Sequence, residues 1–379
     1  MGPLQGIRIV EIASLGPGPF AAMMLADLGA DVVRVDRADR VRDEVPTTPY
    51  PDFLNRGRRS VGINLKNSEG SEVVLRLVES ADGLIEGFRP QVAERLGIGP
   101  VECLARNPKL VYGRMTGWGQ DGPYASMAGH DINYIALSGA LGAIGRQGQA
   151  PVPPMNLVGD FGGGGMLLAV GMLAAILECQ RSGKGQVVDA AMVDGSALLM
   201  SFMYNARATG KWADERGANL LDSGAWFYDT YQCADGTYIS FGPIEPQFFA
   251  EMAEKVGLDI SEIEQYDTST WPTMRKKMAA VVATKTRQQW CDILDGSNAC
   301  FAPVLNMAEA PQHPHNKARG TFVELDGAIQ PAPAPRFSRT PAEIAGPAPN
   351  PGEQTTAALL SWGFEAAEVE ALRQSGAVK

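Results

Sequence analysis

The spacing of apolar and polar residues predicts that the chain opens with a strand, a helix and a second strand. Residues 7–12 form a mainly apolar run, residues 20–28 have apolar positions at helical spacing and stop before Gly29, and residues 31–35 form a second apolar run. Short apolar runs between turn residues are typical of strands, and a period of 3.6 residues is typical of a helix. This βαβ order predicts a parallel sheet.

The same alternation continues to about residue 210. We interpret Gly16 to Pro19 as a turn. Later segments are predicted as strands at 82–85, 110–114 and 187–190, and as helices at 68–79 (capped by Ser68), 92–96, 166–179 and 192–208. The pattern therefore indicates an α/β domain over residues 1–221.

After Gly210 the pattern changes. Residues 227–233 and 237–241 flank the turn Ala234-Asp235-Gly236, which predicts a β-hairpin. Helices are predicted from Glu245-Pro246, at 271–282, at 287–295 and at 365–374. We therefore predict a large domain, residues 1–221 completed by 333–379, and a smaller α+β domain, residues 222–332.

The composition narrows the function class. The 379 residues carry a net charge of −10, which argues against nucleic acid as a partner. Five scattered cysteines without a CxxC pair, and no secretory signal, indicate a cytoplasmic protein with reduced thiols. Uncharged, unbroken apolar runs stay below about 18 residues, so we expect no membrane span.

Residues 129–165 hold the strongest candidates for catalysis. His130 is one of only three histidines and is followed by Asp131, while Asp160 precedes a glycine run and an apolar helix. Such a helix start favours an anion and supplies main-chain N–H groups for an oxyanion. The other two histidines, His313 and His315, lack further ligands at metal spacing, so we predict no metal site.

Two phosphate-binding patterns compete near the N-terminus. Gly16, Gly18 and Ala21 fit a dinucleotide-binding motif, but the prolines between them lack the N–H groups that face a pyrophosphate. Arg56, Arg58 and Arg59 lie within four residues, a run that is either a solvated charge cluster or a phosphate cradle.

Several motifs together resemble the family III coenzyme A transferases (CaiB/BaiF). They are NRGRRSV (55–61), NLK (64–66), EGFRP (86–90), TGWG (116–119) and GQVVD (185–189), together with the tail from Gly352-Glu353 through Leu360, Gly363 and Gly376. The resemblance covers nearly the whole chain. It implies a Rossmann-like large domain, a smaller domain, and two subunits interlocked like links of a chain. Residues 39–52 do not align with the pattern, so no contact is assigned there.

The resemblance also implies an acyl-CoA substrate and the residues that bind it. The CoA contacts would be Arg37, Ile63, Asn64, Leu65, Lys66, Gly87, Phe88, Arg89, Arg95, Gly129 and Tyr134. This favours the phosphate cradle over a nicotinamide site. The site would lie between the large domain of one subunit and the small domain of the other.

His130 decides between the activities in this family. Family transferases use the acid matching Asp160 as a nucleophile and generally carry an aromatic residue where this chain has His130. A base on each face of one carbon fits 1,1-proton transfer, the racemisation of 2-methylacyl-CoA thioesters through an enolate. Glu245 would then orient His130, Asp131 would help, and no redox cofactor or metal would be needed.

Two other functions stay open at this point. The first is acyl-CoA:carboxylate CoA transfer with Asp160 as the nucleophile. The second is a CoA-binding regulatory module, which gives no reason for His130, Asp160 and Glu245 to occur together.

Overall fold

The computed structural model of the chain describes residues 2–42 and 52–379. Six strands form the main sheet: β1 (Arg8–Ile12), β2 (Asp31–Arg37), β3 (Arg59–Ile63), β4 (Gly83–Glu86), β5 (Val111–Thr116) and β6 (Gln186–Ala191). Their order is β3-β2-β1-β4-β5-β6, and every pair is parallel. The predicted parallel α/β fold is confirmed. Most of the unaligned 39–52 stretch lies outside the described residues.

The chain folds into two compact units, each assembled from segments that are separate in sequence. The first contains Met1–Ser138, Met155–Met200 and Thr321–Lys379, and the second contains Gly139–Pro154 and Ser201–Gly320. These breaks differ from the predicted domain limits, 1–221 with 333–379 and 222–332, which stay a prediction.

Helices flank the sheet of the first unit. They are Pro17–Asp27, Ser68–Glu79, Val92–Arg95, Pro100–Arg106, Asp131–Leu137, Leu157–Met166 (a π-helix), Leu167–Ser182, Met192–Leu199, Thr355–Ser361 and Ala366–Gln374, with single 3₁₀ turns at Ala38–Arg40 and Phe53–Asn55. A short antiparallel hairpin of Phe322–Leu325 and Ala328–Pro331 also belongs to this unit.

Successive residues of the strands pack into separate cores. Val10 and Leu84 belong to one buried cluster, whereas Ile9 and Ile85 belong to another. Neighbouring side chains of a strand point to opposite faces of the sheet. The sheet is therefore buried on both faces, as parallel sheets require.

The second unit is built on a three-stranded antiparallel sheet. Its strands are β7 (Asp229–Gln232), β8 (Tyr238–Phe241) and β9 (Phe301–Val304), in the order β7-β8-β9. Its helices are Ala140–Ala143, Ser201–Ala208, Pro246–Val256, Trp271–Val282, Arg287–Leu294 and Pro314–Arg319, with a 3₁₀ turn at Ala310–Gln312. Aromatic side chains such as Trp226, Phe227 and Trp290 fill its core. The predicted hairpin is confirmed.

Three local predictions were wrong. The segment from Gly16 to Pro19 is the start of a helix rather than a turn. Proline is favoured at the first helical position, here Pro17, because a backbone N–H there would have no acceptor within the helix. Asn67, not Ser68, caps the next helix, since its side chain accepts the Glu69 N–H at 3.0 Å. The long helix expected over 192–208 is two helices that break at Met200.

The glycine run 162–165 is helical and not a loop. Leu157–Met166 is a π-helix that continues into Leu167–Ser182. A Cβ on Gly163 would lie 2.5 Å from the Ser196 nitrogen, and one on Gly165 would lie 2.7 Å from the Pro17 oxygen. The glycines therefore allow the helices Met192–Leu199 and Pro17–Asp27 to approach the π-helix closely. Asp160 lies within the π-helix and not before its first residue.

The helical stretch Leu157–Ser182 is long and apolar enough to cross a membrane by length and composition alone. Its mean hydropathy is 1.7 over 18 residues, and 44% of that window is buried. Leu168, Ala169 and Met172 on this stretch belong to the core beneath the sheet. Core helices meet the same criterion, so the absence of a membrane span stays a prediction.

The arginine run after residue 55 contributes to the interior. Arg58 pairs with Glu11 at 2.7 Å, and both side chains are fully buried. Arg56 pairs with Asp27 at 2.6 Å and is 3% exposed. The phosphate-cradle interpretation was wrong for these two side chains, because buried arginines already paired with carboxylates cannot reach a ligand.

We expect Glu11→Gln to destabilise the fold strongly. Glu11 accepts hydrogen bonds from Arg34 at 2.6 Å and from Arg58, so its neutralisation leaves the buried Arg58 guanidinium without its counter-charge, whereas Arg34 keeps Asp36. Removing one partner of a buried ion pair costs about 3–5 kcal/mol. Urea unfolding measures this, and Asp214→Asn, in an exposed pair with Arg207, is the matched control that should change little. Equal midpoints for both variants would contradict the expectation.

Candidate active site

A cavity of about 390 Å³ lies at the carboxyl ends of β4 and β5. Ligands of open α/β sheets bind at this edge. The residues that line the cavity include Gly16, Gly87, Phe88, Arg89, Thr116, Trp118, Gly129, His130, Tyr134, Asp160 and Met192. The structure therefore brings His130 and Asp160, which are thirty residues apart in sequence, to the wall of one cavity.

His130 is the N-cap of the helix Asp131–Leu137. Its backbone N–H donates to the side-chain oxygen of Asn133 at 3.0 Å, which fixes the main chain at the helix start. The residue is exposed at the cavity. The sequence analysis did not predict this helix.

Asp160 lies in the first turn of the π-helix and is held from two sides. Its Oδ2 accepts a hydrogen bond from Asn156 Nδ2 at 3.1 Å. Its backbone N–H donates to Asp131 Oδ1 at 2.7 Å. A Cβ on Gly16 would lie 3.1 Å from Asp160 Oδ2, so a glycine there leaves room for the carboxyl.

The pKa of Asp160 is raised above its ordinary value. Partial burial is the main cause, and the negative charge of Asp131 adds to it. The hydrogen bond from Asn156 and the nearby His130 act in the opposite direction. A raised pKa increases the fraction of Asp160 that holds a proton, which suits a group that delivers one.

One predicted detail of the site is corrected by this geometry. The backbone N–H of Asp160 donates to Asp131, so it is not a free donor for an oxyanion. Asp131 is only 7% exposed and holds the main chain of Asp160, and its help to His130 stays a prediction.

The glycines that fit a dinucleotide-binding motif, Gly16 and Gly18, make close packing contacts in the structure. Gly16 makes room for Asp160, and a Cβ on Gly18 would lie 2.6 Å from the Ser14 hydroxyl. Asp36, at the position of a ribose-binding acid, accepts hydrogen bonds from Arg34 at 3.2 Å and from Ser60 at 2.7 Å. The glycines therefore serve packing, and the acid already has internal partners.

A second cavity of about 300 Å³ lies at the carboxyl ends of β1, β2 and β3. Its lining includes Ala13, Asp36, Arg37, Asp39, Ile63, Asn64, Leu65, Lys66, Phe88 and Leu96. Arg37 forms an exposed ion pair with Asp39, two residues along the chain. Phe88 lines both cavities, so a ligand passing over this side chain can occupy the two together.

The loop that carries Phe88 is held by a buried carboxyl group. Glu86 is fully buried, and its Oε2 accepts the Phe88 N–H at 2.6 Å. Its Oε1 accepts from Arg114 at 3.0 Å, and Arg114 also pairs with Glu94 at 2.8 Å. Burial raises the pKa of Glu86 to about 7. Glu86 and Asn156 are residues that the sequence analysis missed, because their roles depend on tertiary contacts.

The remaining predicted site residues lie elsewhere. Arg95 ends the helix Val92–Arg95 and does not line either cavity. Glu245 belongs to the second unit, where it is the N-cap of Pro246–Val256. Its loop is fixed by Tyr266, whose hydroxyl donates to the Ile244 carbonyl at 2.6 Å. Among the described residues, no group of three or more His, Cys, Asp or Glu side chains is placed to hold a metal.

Comparison with known families shows which family the chain belongs to. The description "CoA-transferase family III" matches residues 4–355, nearly the whole chain. The chain belongs to this family. The CaiB/BaiF-like motifs of the sequence analysis were therefore interpreted correctly.

Individual relatives are similar over almost their full length. α-Methylacyl-CoA racemase of Mus musculus is 47% identical over 370 residues, covering 97% of this chain and 95% of that protein. The Homo sapiens protein of the same name is 45% identical over 371 residues, with the same coverage. A crystal structure of a CAIB/BAIF family protein from Brucella suis has a TM-score of 0.80 at 24% identity, covers 95% of this chain and 99% of that one, and shows the fold.

We expect the stability of the Glu86→Gln variant, relative to the wild type, to increase with pH. The pKa of Glu86 is about 7 in the folded protein and near 4.5 when unfolded. Its contribution is therefore present below pH 4.5 and is lost as the pH rises towards 7. Denaturant unfolding at several pH values measures the difference between variant and wild type. Parallel stability curves over this range would contradict the raised pKa.

Proposed function

We propose that the protein is an α-methylacyl-CoA racemase, an isomerase that interconverts (R)- and (S)-2-methylacyl-CoA thioesters. The observation that carries the proposal is that His130 and Asp160 line one cavity. Inversion at a carbon without redox chemistry needs a proton carrier on each face. The names of the mouse and human relatives support this assignment and a role in fatty acid metabolism.

The reaction starts with His130 neutral and Asp160 protonated. His130 removes the α-proton from the S substrate, and the electron pair moves into the thioester to form an enolate. Asp160 then delivers its proton to the opposite face, which yields the R thioester. His130 is left protonated and Asp160 ionised. Exchange with solvent restores both groups, and the reverse reaction starts from the opposite protonation states.

The enolate oxygen needs fixed hydrogen-bond donors. Each such donor is typically worth about 3–4 kcal/mol in the transition state. Because the Asp160 N–H is engaged by Asp131, the donors are other first-turn N–H groups at the starts of Asp131–Leu137 and Leu157–Met166. Both helix starts carry partial positive charge, which favours the developing anion.

The CoA portion of the substrate would occupy both cavities. Arg37 and Lys66 line the cavity at the carboxyl ends of β1, β2 and β3, where they would attract phosphate groups. The pantetheine arm would pass Phe88 and bring the thioester to His130. Arg89, Gly129 and Tyr134 line the reaction end, and the other proposed contacts are Ile63, Asn64, Leu65, Gly87 and Arg95.

The same proposal extends to fold and assembly. The strand order of the main sheet is that of dinucleotide-binding folds, which supports a Rossmann-like description of the large domain. We propose an interlocked homodimer in which Glu245 orients His130. The protein would be cytoplasmic, would need no metal or redox cofactor, and would bind neither nucleic acid nor membrane.

CoA transfer is the second candidate, favoured by the family's own description. In that reaction the Asp160 carboxylate would attack a thioester, expel CoA thiolate and form an acyl anhydride. The burial of Asp160 and the negative charge of Asp131 raise its pKa, which lowers the fraction available as a nucleophile. His130 has no part in such a scheme.

One experiment separates the two functions. We expect either epimer of a 2-methylacyl-CoA, incubated with the protein in deuterated water, to give both epimers with deuterium at the α-carbon of the product. Mass spectrometry and chiral chromatography measure label and configuration. Borohydride or hydroxylamine trapping is run in parallel. Full retention of the original α-proton, or a covalent adduct at Asp160 without epimerisation, would favour CoA transfer and refute the racemase proposal.

A further inference from the structure

Two buried or half-buried side chains beside Asp160 have no proton to transfer in the proposed reaction. Asp131 Oδ1 accepts the Asp160 N–H at 2.7 Å, and Asn156 Nδ2 donates to Asp160 Oδ2 at 3.1 Å. One contact fixes the main chain of Asp160 and the other fixes its carboxyl group. They reach it from different segments, the helix starting at Asp131 and the turn ahead of the π-helix.

The contact from Asp131 is built into the backbone. Asp131 is 7% exposed, and a Cβ on Gly159 would lie 2.3 Å from its Oδ1. Only a glycine at 159 therefore lets the carboxylate reach the next peptide N–H. Asp131 Oδ2 is buried and has no hydrogen-bond partner among residues 2–42 and 52–379. Leaving such a group unsatisfied costs about 1–3 kcal/mol, more for a charged group, and sites that keep this cost are often functional.

We propose that Asp131 and Asn156 are positioning residues for Asp160, and that they act on its proton in opposite directions. This rests on the proposed function and deepens it. Asp131 holds the Asp160 backbone beside the helix that starts after His130 and places a negative charge near the carboxyl group. Asn156 aims the carboxyl group and stabilises its ionised form. Together, the two residues set the position of the Asp160 carboxyl group and its affinity for a proton.

The electrostatics agree with this division. The charge of Asp131 raises the pKa of Asp160, after burial, and the hydrogen bond from Asn156 lowers it. His130 also lowers the pKa of Asp160. Tyr134, on the same helix as Asp131, has a pKa raised by burial and by Asp160, and Arg89 moderates that shift. Replacing Asp131 by asparagine and Asn156 by alanine should therefore shift the pKa of Asp160 in opposite directions.

The test uses the full-length protein with Asp131→Asn and Asn156→Ala. The Asp131→Asn amide keeps an oxygen for the Asp160 N–H but removes the charge, so the pKa of Asp160 should fall. Asn156→Ala removes a donor to the carboxylate, so the pKa should rise. Carbon-13 NMR of protein labelled at aspartate carboxyl carbons measures both, with the Asp160 signal assigned by its loss in Asp160→Asn. Asp259→Asn, which changes an aspartate that accepts the Ser261 N–H in the second unit, is the matched control.

Activity gives a second readout. In the direction that uses protonated Asp160, the alkaline limb of the pH profile should move to lower pH in Asp131→Asn and to higher pH in Asn156→Ala. Asp131→Asn should stay within about tenfold of the wild-type kcat at its own optimum, since the hydrogen bond is kept. Asp131→Ala should lose about 100-fold through misplacement of Asp160. The KM for the thioester should change little in all three.

Shifts of the Asp160 titration in the same direction in both variants, or no shift in either, would overturn the inference. So would equal kcat values for Asp131→Asn and Asp131→Ala. A wild-type protein without α-proton exchange would refute the proposed function, while the NMR titrations would still decide whether these two residues control Asp160. Should Asp131→Ala fail to fold, the other two variants keep the test complete.

Discussion

A hydrogen bond joins the two chain segments that carry the proposed proton carriers. The Asp160 N–H donates to Asp131 Oδ1 at 2.7 Å, across 29 residues of sequence. His130 precedes Asp131 directly, so this contact ties the main chains of both groups together. It requires a glycine at 159, where a Cβ would collide with the carboxylate. The placement of the site therefore depends on main-chain geometry as much as on the reactive side chains.

The surrounding scaffold explains why these segments are rigid. The glycines after Asp160 pack against the helices Pro17–Asp27 and Met192–Leu199. Buried ion pairs between Glu11 and Arg58 and between Asp27 and Arg56 stabilise the start of the sheet and the helix that follows it. Glu86 holds the loop over which a ligand would pass from one cavity to the other.

The sequence predicted the fold better than the site. Apolar periodicity located β1, β2, β4, β5 and β6, the β7–β8 hairpin and the helix Trp271–Val282, because these signals are local; it did not predict β3, whose first residue, Arg59, belongs to the arginine run. The family resemblance implied CoA contacts at Arg37, Lys66 and Tyr134; these residues line the two cavities, and their contact with CoA stays a prediction. It could not show that Arg56 and Arg58 are buried, or that Asp131 holds Asp160, since both facts depend on partners distant in sequence. A glycine run in a sequence is typical of a loop. Its helical conformation here could be predicted only with knowledge of the neighbouring helices that pack closely against it.

The central claim is that one proton carrier serves each face of the same carbon. The most direct test removes one carrier at a time and follows α-proton exchange in deuterated water for each single epimer. The account predicts that His130→Ala loses epimerisation by several orders of magnitude, keeps its affinity for CoA, and still exchanges the α-proton of the R epimer. Asp160→Asn should exchange only the S epimer. Exchange of both epimers by either variant, or of neither by both, would contradict the account.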